Sequence, residues 1–152
     1  MVSPEMLCRF SLFAGLDSSV YQELAVASRE TTLKTGESLF KEGDRADALY
    51  LVLEGRIDLK INLDKDGVRH QDIATVTNGH MMGWSALVEP YIYTLSAIAV
   101  ADCKLVSLDA SAVREMMEQN HEVGYTIMKR LAQAIGARLT NLRVQFASIS
   151  KP

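Results

Sequence analysis

Residues 55–63 read Gly55-Arg56-Ile57-Asp58-Leu59-Lys60-Ile61-Asn62-Leu63. After the glycine, apolar and polar residues alternate without a break, the period of a strand with one buried and one wet face. Asp64-Lys65-Asp66-Gly67 carries turn chemistry, and Val68 to Val76 returns as the partner strand. Upstream, Ala48 to Leu53 is a short apolar run suited to a buried strand. Downstream, Asn78-Gly79 and Gly83 punctuate the chain, and Leu95–Val100 and Cys103–Leu108 read as two more strands joined at Ala101-Asp102.

The period lengthens on both sides of this block. Residues 5–28 read as helix, with Asp17 as an N-cap and Val20, Leu24 and Ala27 at helical spacing. Asp109 or Ser111 caps a short helix reaching about Glu118, and a long helix follows from His121 to Phe146. That helix spans about 40 Å at 1.5 Å per residue, more than one face of a small β domain needs. Helix, about eight short glycine-punctuated strands, then helices imply a barrel or jelly roll, not a doubly wound sheet. The expected organisation is one domain over residues 1–152: a helical N-terminal segment (residues 1–28), a roll (residues 29–109) and C-terminal helices (residues 110–148).

Composition agrees with a folded domain. Of 152 residues, 48% are hydrophobic and 23% charged, which argues against disorder and low-complexity classes. A net charge of −3 gives no global attraction to nucleic acid or anionic lipid. Two cysteines, Cys8 and Cys103, make no disulfide framework and read as reduced thiols of a cytoplasmic protein. No signal peptide and no membrane span are expected. The charge is unevenly placed: after Gly124 come Lys129, Arg130, Arg138, Arg143 and Lys151 and no acidic residue. A helix favouring cations at its C-terminal end accounts for this; a tail meeting an acidic partner is the other reading.

With these elements in order, the chain resembles the cyclic nucleotide-binding domain family, the sensor module of catabolite-activator-type (Crp/Fnr-like) regulators and cyclic-nucleotide-dependent kinases. Leu12-Phe13-Ala14-Gly15-Leu16 matches the family's opening helix signature. Thr35-Gly36-Glu37-Ser38-Leu39-Phe40-Lys41-Glu42-Gly43-Asp44 matches its hairpin, and Ala48 to Gly55 the strand that follows. Gly55, Gly79 and Gly83 fall where the family bends its barrel. The resemblance implies a mainly β, α+β fold. Its core is a cupin-like β-roll (a double-stranded β-helix, jelly-roll-like) of about eight strands, flanked by an N-terminal helix and two C-terminal helices.

Function in the family rests on a phosphate-binding cassette, in which a Glu meets the ribose hydroxyl and an Arg pairs with the cyclic phosphate. Here that segment runs Gly83-Trp84-Ser85-Ala86-Leu87-Val88-Glu89-Pro90-Tyr91-Ile92-Tyr93-Thr94. Gly83, Ala86, Leu87 and Thr94 match the pattern; Trp84 stands where the Glu belongs and Tyr93 where the Arg belongs. Between Arg69 and Lys104 there is no Lys or Arg. The expectation is the family fold without ordinary binding of cyclic AMP or cyclic GMP. Either Trp84, Tyr91 and Tyr93 fill the old pocket, or they line one for a different, less anionic ligand, with Ser85 and Thr94 beside them.

No enzyme is expected. Gly83-Trp84-Ser85-Ala86-Leu87 only half matches a nucleophile elbow and lacks its parallel-sheet context. His70, His80 and His121 have no metal-ligand spacing. A haem ligand at His80, suggested by gas-sensing members of the superfamily, rests on one histidine, so no cofactor is expected. The resemblance assigns the long helix to dimerisation, and Ile127, Leu131, Ile135, Leu142 and Phe146 form a stripe of rough heptad spacing. The chain ends at Pro152, without room for a helix-turn-helix, so direct DNA binding is not expected. The partners expected are a twin subunit, a small ligand or another protein, and no membrane.

Overall fold

The computed structural model of the chain describes residues 2–150. Its helices are α1 (Pro4–Leu7), α2 (Ser18–Val26), α3 (Ala110–Gln119) and α4 (His121–Ser150). Its strands are β1 (Ser28–Leu33), β2 (Ser38–Phe40), β3 (Ala48–Glu54), β4 (Ile57–Asn62), β5 (His70–Val76), β6 (Met81–Met82), β7 (Ser96–Ala99) and β8 (Cys103–Asp109). Two four-stranded antiparallel sheets, in the orders β1-β8-β3-β6 and β2-β7-β4-β5, face one another as a β-roll. This is the fold class read from the sequence, and the expected strands fall within a residue or two of those observed.

The two central strands of the first sheet, β8 and β3, have a core on each face. Leu49 and Leu51 of β3, with Val106 and Leu108 of β8, pack against the helices, joined by Leu24, Ile127 and Leu131. Val52 and Leu105 face the roll interior with Phe40, Ile57, Leu59, Met82 and Tyr93. Ala48–Leu53 therefore reads as an unbroken apolar run: neither face of β3 meets water.

Three expectations are corrected. The N-terminal segment is not one helix over residues 5–28. It is α1, a 3₁₀ turn at Ser11–Phe13, and α2. Gly15 at φ 71° and Asp17 in extended conformation break the run. The alternation after Gly55 also outlasts the roll. Ile57 and Leu59 are buried, but Ile61 and Leu63 are 36% and 53% exposed. β4 pairs with β7 only as far as Lys60, and beyond that the β4–β5 hairpin projects without a second layer. Third, α4 continues to Ser150, past Phe146.

The motif residues of the β2 hairpin hold its turns. Glu37 accepts a hydrogen bond from the Lys34 N–H at 2.7 Å, and Asp44 from the Lys41 N–H at 3.1 Å, each closing a turn beside a glycine of positive φ. Of the two residues that could cap α3, Asp109 does so: its carboxylate accepts from the Ser111 N–H at 3.3 Å.

Candidate functional site

The segment between β6 and β7 builds the site. Gly83 turns the chain at φ 81°, and a Cβ there would lie 3.2 Å from the Ala48 carbonyl oxygen and 3.3 Å from the Tyr93 ring. Only glycine lets this turn lie against both groups. Trp84–Leu87 then makes one 3₁₀ turn, in which the Ala86 N–H donates to the Gly83 carbonyl at 3.0 Å. Ser85, Ala86 and Leu87 are buried by it.

The return strand is strapped to the β2–β3 connection. The Gly43 N–H donates to the Tyr93 carbonyl at 2.8 Å, the Tyr93 N–H to the Asp44 carbonyl at 2.9 Å, and the Ala46 N–H to the Tyr91 carbonyl at 2.8 Å. This ladder turns the Tyr93 ring into the roll. There it stacks on Phe40, with ring centroids 3.8 Å apart and planes 12° from parallel. Its hydroxyl donates to the Ala48 carbonyl at 2.6 Å. Burial, reinforced by the neighbouring Tyr50, pushes that hydroxyl well above the usual phenol range, so it stays a neutral donor.

The space left beside Tyr93 is about 20 Å³. That admits about one water, whereas sites for small organic ligands run to about 300–1,000 Å³. Of the two readings of the aromatic residues, neither holds for all three side chains. Tyr93 fills the roll interior. Trp84 is half-buried at the mouth and packs on the helix-side core. Tyr91 lies under the Arg114 guanidinium, 4.1 Å from its ring centroid. Thr94 is exposed at the rim.

Arg114 also donates from Nη1 to the Ala86 carbonyl at 2.6 Å, tying the 3₁₀ turn to α3. Replacing Arg114 by alanine leaves that carbonyl, on a fully buried residue, without its partner. The expected loss is about 1.5–3 kcal/mol of folding stability, read from urea unfolding. Arg114→Lys should recover only part of it, because an ammonium does not stack on a ring as a guanidinium does. An unchanged midpoint in Arg114→Ala would refute the tether.

The stripe on α4 is divided. Ile127 and Leu131 are 0% and 1% exposed and belong to the chain's own core, with Ile135 packed on it. They are therefore not free to form a dimer seam; of the other two residues of the stripe, Leu142 is half-buried and Phe146 is 71% exposed. The basic stretch is also partly engaged, because Arg130 Nη1 donates to the Leu12 carbonyl at 3.1 Å.

The residues missed by the sequence reading are Phe40, Tyr50, Arg114 and, above all, Arg138. Arg138 reaches from α4 to the residual space beside Tyr93 and Thr94. It had a signal: with Leu131, Ile135 and Leu142 it shares the apolar stripe, where a cation is out of place. Among the described residues no helix is long and apolar enough to cross a membrane, and no group of three metal-ligating side chains comes together.

Comparison with known proteins agrees with this architecture. A CRP-like cAMP-activated global transcriptional regulator of Mycobacterium tuberculosis is 25% identical over 138 residues, which make up 91% of this chain and 61% of that protein. Glutaminase 1 of Bradyrhizobium diazoefficiens is 32% identical over 84% of this chain and 20% of its own length. The chain thus spans less than two thirds of either relative. A crystal structure of a Geobacter metallireducens protein named as cyclic nucleotide-binding superposes with a TM-score of 0.81 at 35% identity, covering 91% of this chain and 99% of that one. The model of the cyclic nucleotide-binding domain matches residues 30–120. With that match over more than half its length, and with the β-roll and the Gly83 turn in place, the chain belongs to the cyclic nucleotide-binding domain family.

Proposed function

We propose that this chain is a non-enzymatic, cytoplasmic sensor domain whose roll does not take cyclic AMP or cyclic GMP in the family's usual way. It acts through α4 on a twin subunit or another protein. The observation that carries this reading is the Tyr93 ring, stacked on Phe40 and bonded to Ala48 where a phosphate and its arginine would go. Both charged anchors of the cassette are absent, and a charge-assisted hydrogen bond contributes about 1.5–3 kcal/mol.

The relatives support a regulatory role of this general kind. One is named as a cAMP-activated transcriptional regulator, and another is a glutaminase that matches over a fifth of its length. A module found beside such different outputs fits the transmission of a state, not chemistry of its own. Transmission would run from the 3₁₀ turn through Arg114 to α3, which packs on α4, as a shift of these helices between two positions.

The test is thermal shift followed by calorimetry with cyclic AMP and cyclic GMP. A ligand at 100 times its dissociation constant adds about 2.7 kcal/mol, well above detection. No shift and no heat are expected with either nucleotide. Saturable micromolar binding inside the roll would overturn the reading and favour a receptor with a rewired pocket.

A further inference from the structure

We propose that the groove between α2 and α3 is a docking site for the C-terminal turns of α4 from a second copy of this chain. The inference rests on the reading that α4 acts on a twin subunit, and it names the surface of the twin that α4 meets.

The groove has a volume of about 480 Å³. Ala112, Val113 and Met116 share the face of α3 that lines it, opposite Leu24, Val26 and Ala27 of the α2 side. Leu24, Val113 and Met116 are buried, while Val26 is 75% exposed. The polar lining has one sign of charge. Glu23, Asp109 and Glu115 line the groove, and no Lys, Arg or His does. Asp109 caps α3 and Glu115 accepts from the Gln119 amide at 3.4 Å, but among the described residues none of the three carboxylates is in an ion pair. An apolar floor between unpaired carboxylates fits an apolar, cationic partner.

The far end of α4 carries that chemistry. Among the described residues, no α4 residue beyond Ile135 belongs to either core. Leu139, Leu142, Phe146 and Ile149 recur there at helical spacing, and Leu139, Phe146 and Ile149 are 47%, 71% and 77% exposed. Arg143 stands four residues after Leu139 and three before Phe146, so it flanks that stripe. No acidic residue follows Glu122. The lengths agree as well. Leu139 to Ile149 and Asp109 to Gln119 each cover about 15 Å of helix axis.

Connectivity rules out the same copy as the donor. α4 starts at His121, directly after the Gln119 end of the groove, and runs unbroken to Ser150. Leu139 is therefore about 27 Å along α4 from that start, well beyond the reach of the groove, and Ile149 about 42 Å. The stripe of one copy cannot return to its own groove without breaking α4. A second copy meets no such limit, and the contact then joins two unlike surfaces. Seated there, the stripe lies on α3, which Arg114 ties to the Gly83 turn. The position of α3 in one copy is thus felt by α4 of the other.

The test is sedimentation of the full chain with charge reversals at exposed positions. The unaltered chain is expected to self-associate in the micromolar range, and more weakly as salt is raised. Glu23→Lys and Glu115→Lys together should weaken association by about tenfold or more, and so should Arg143→Glu alone. Mixing the two variants should restore it, because the reversed groove then meets the reversed stripe and the native groove the native stripe. Val26→Lys adds a cation to the groove without removing a carboxylate; it serves as the independent variant should the double reversal fail to fold. Three results overturn the proposal. One is a monomer throughout, which leaves the groove to another protein. Another is association that neither the paired glutamate reversal nor Val26→Lys weakens, which leaves α4 packed on α4 and the twin-subunit reading intact. The third is a mixture that restores nothing. Whether the roll takes a cyclic nucleotide is decided separately, by calorimetry.

Discussion

Replacing Gly55 by alanine is expected to destabilise the protein by about 3–5 kcal/mol, a third or more of a typical domain's stability. Gly55 sits where the chain leaves β3 in one sheet and enters β4 in the other. Its φ is 112°, a region that L residues rarely enter. A Cβ built there would lie 2.5 Å from Cys103 Sγ, 2.7 Å from the Asp102 carbonyl oxygen and 2.9 Å from Cys103 Cα. Two of those neighbours are backbone at the start of β8 and cannot swing aside. The same change at Gly36 is the control: its φ of 89° is comparable, but nothing lies within 4 Å of the added carbon. Gly36→Ala should therefore cost only the strain, about 1–3 kcal/mol. The measurement is the urea midpoint of both variants. Equal losses would mean that backbone conformation alone, and not the approach of β8, makes Gly55 necessary.

How far the sequence carries the fold follows from which faces meet water. β4 shows its period because Asp58 and Lys60 sit on a wetter face while Ile57 and Leu59 are buried. β3 and β8 hide theirs, because two cores take their alternate side chains. The N-terminal region reads as one helix because its apolar spacing is helical throughout, while its breaks depend on Gly15 and on Leu12 and Phe13 packing through a 3₁₀ turn. The α4 stripe looks like a seam for a second molecule because heptad spacing cannot say which molecule it packs on. Ile127 and Leu131 pack on their own chain.

The site is legible as an absence and not as a geometry. The missing cassette Glu and Arg can be read from residues 83–94 alone. The fates of their replacements cannot, since Trp84 and Tyr93 are both large aromatics and only the ladder to residues 43–46 sends one of them inward. Arg138 is more than forty residues further along the chain than either. Only the course of α4 over the edges of the two sheets brings it to them.

Replacing Tyr93 by alanine is expected to cost about 3–5 kcal/mol and to open the roll to small aromatic molecules. The ring is 5% exposed and has Phe40 against one face, so its removal leaves a void bounded by Phe40, Leu59 and the Gly83 turn. The Ala48 carbonyl loses the hydroxyl that now satisfies it at 2.6 Å. The two contributions separate in Tyr93→Phe, which keeps the ring and should lose only about 1–3 kcal/mol for the unsatisfied carbonyl. An apolar void of this kind takes up aromatic guests, and p-cresol is the side chain that was removed. It should raise the melting temperature of Tyr93→Ala in a saturable way and leave the unaltered protein unmoved. The contrast is what matters for function. If the unaltered protein responds to p-cresol as strongly as the variant, Tyr93 already leaves the interior readily. The roll would then be an open receptor, and its closure would be a state that a ligand can reverse.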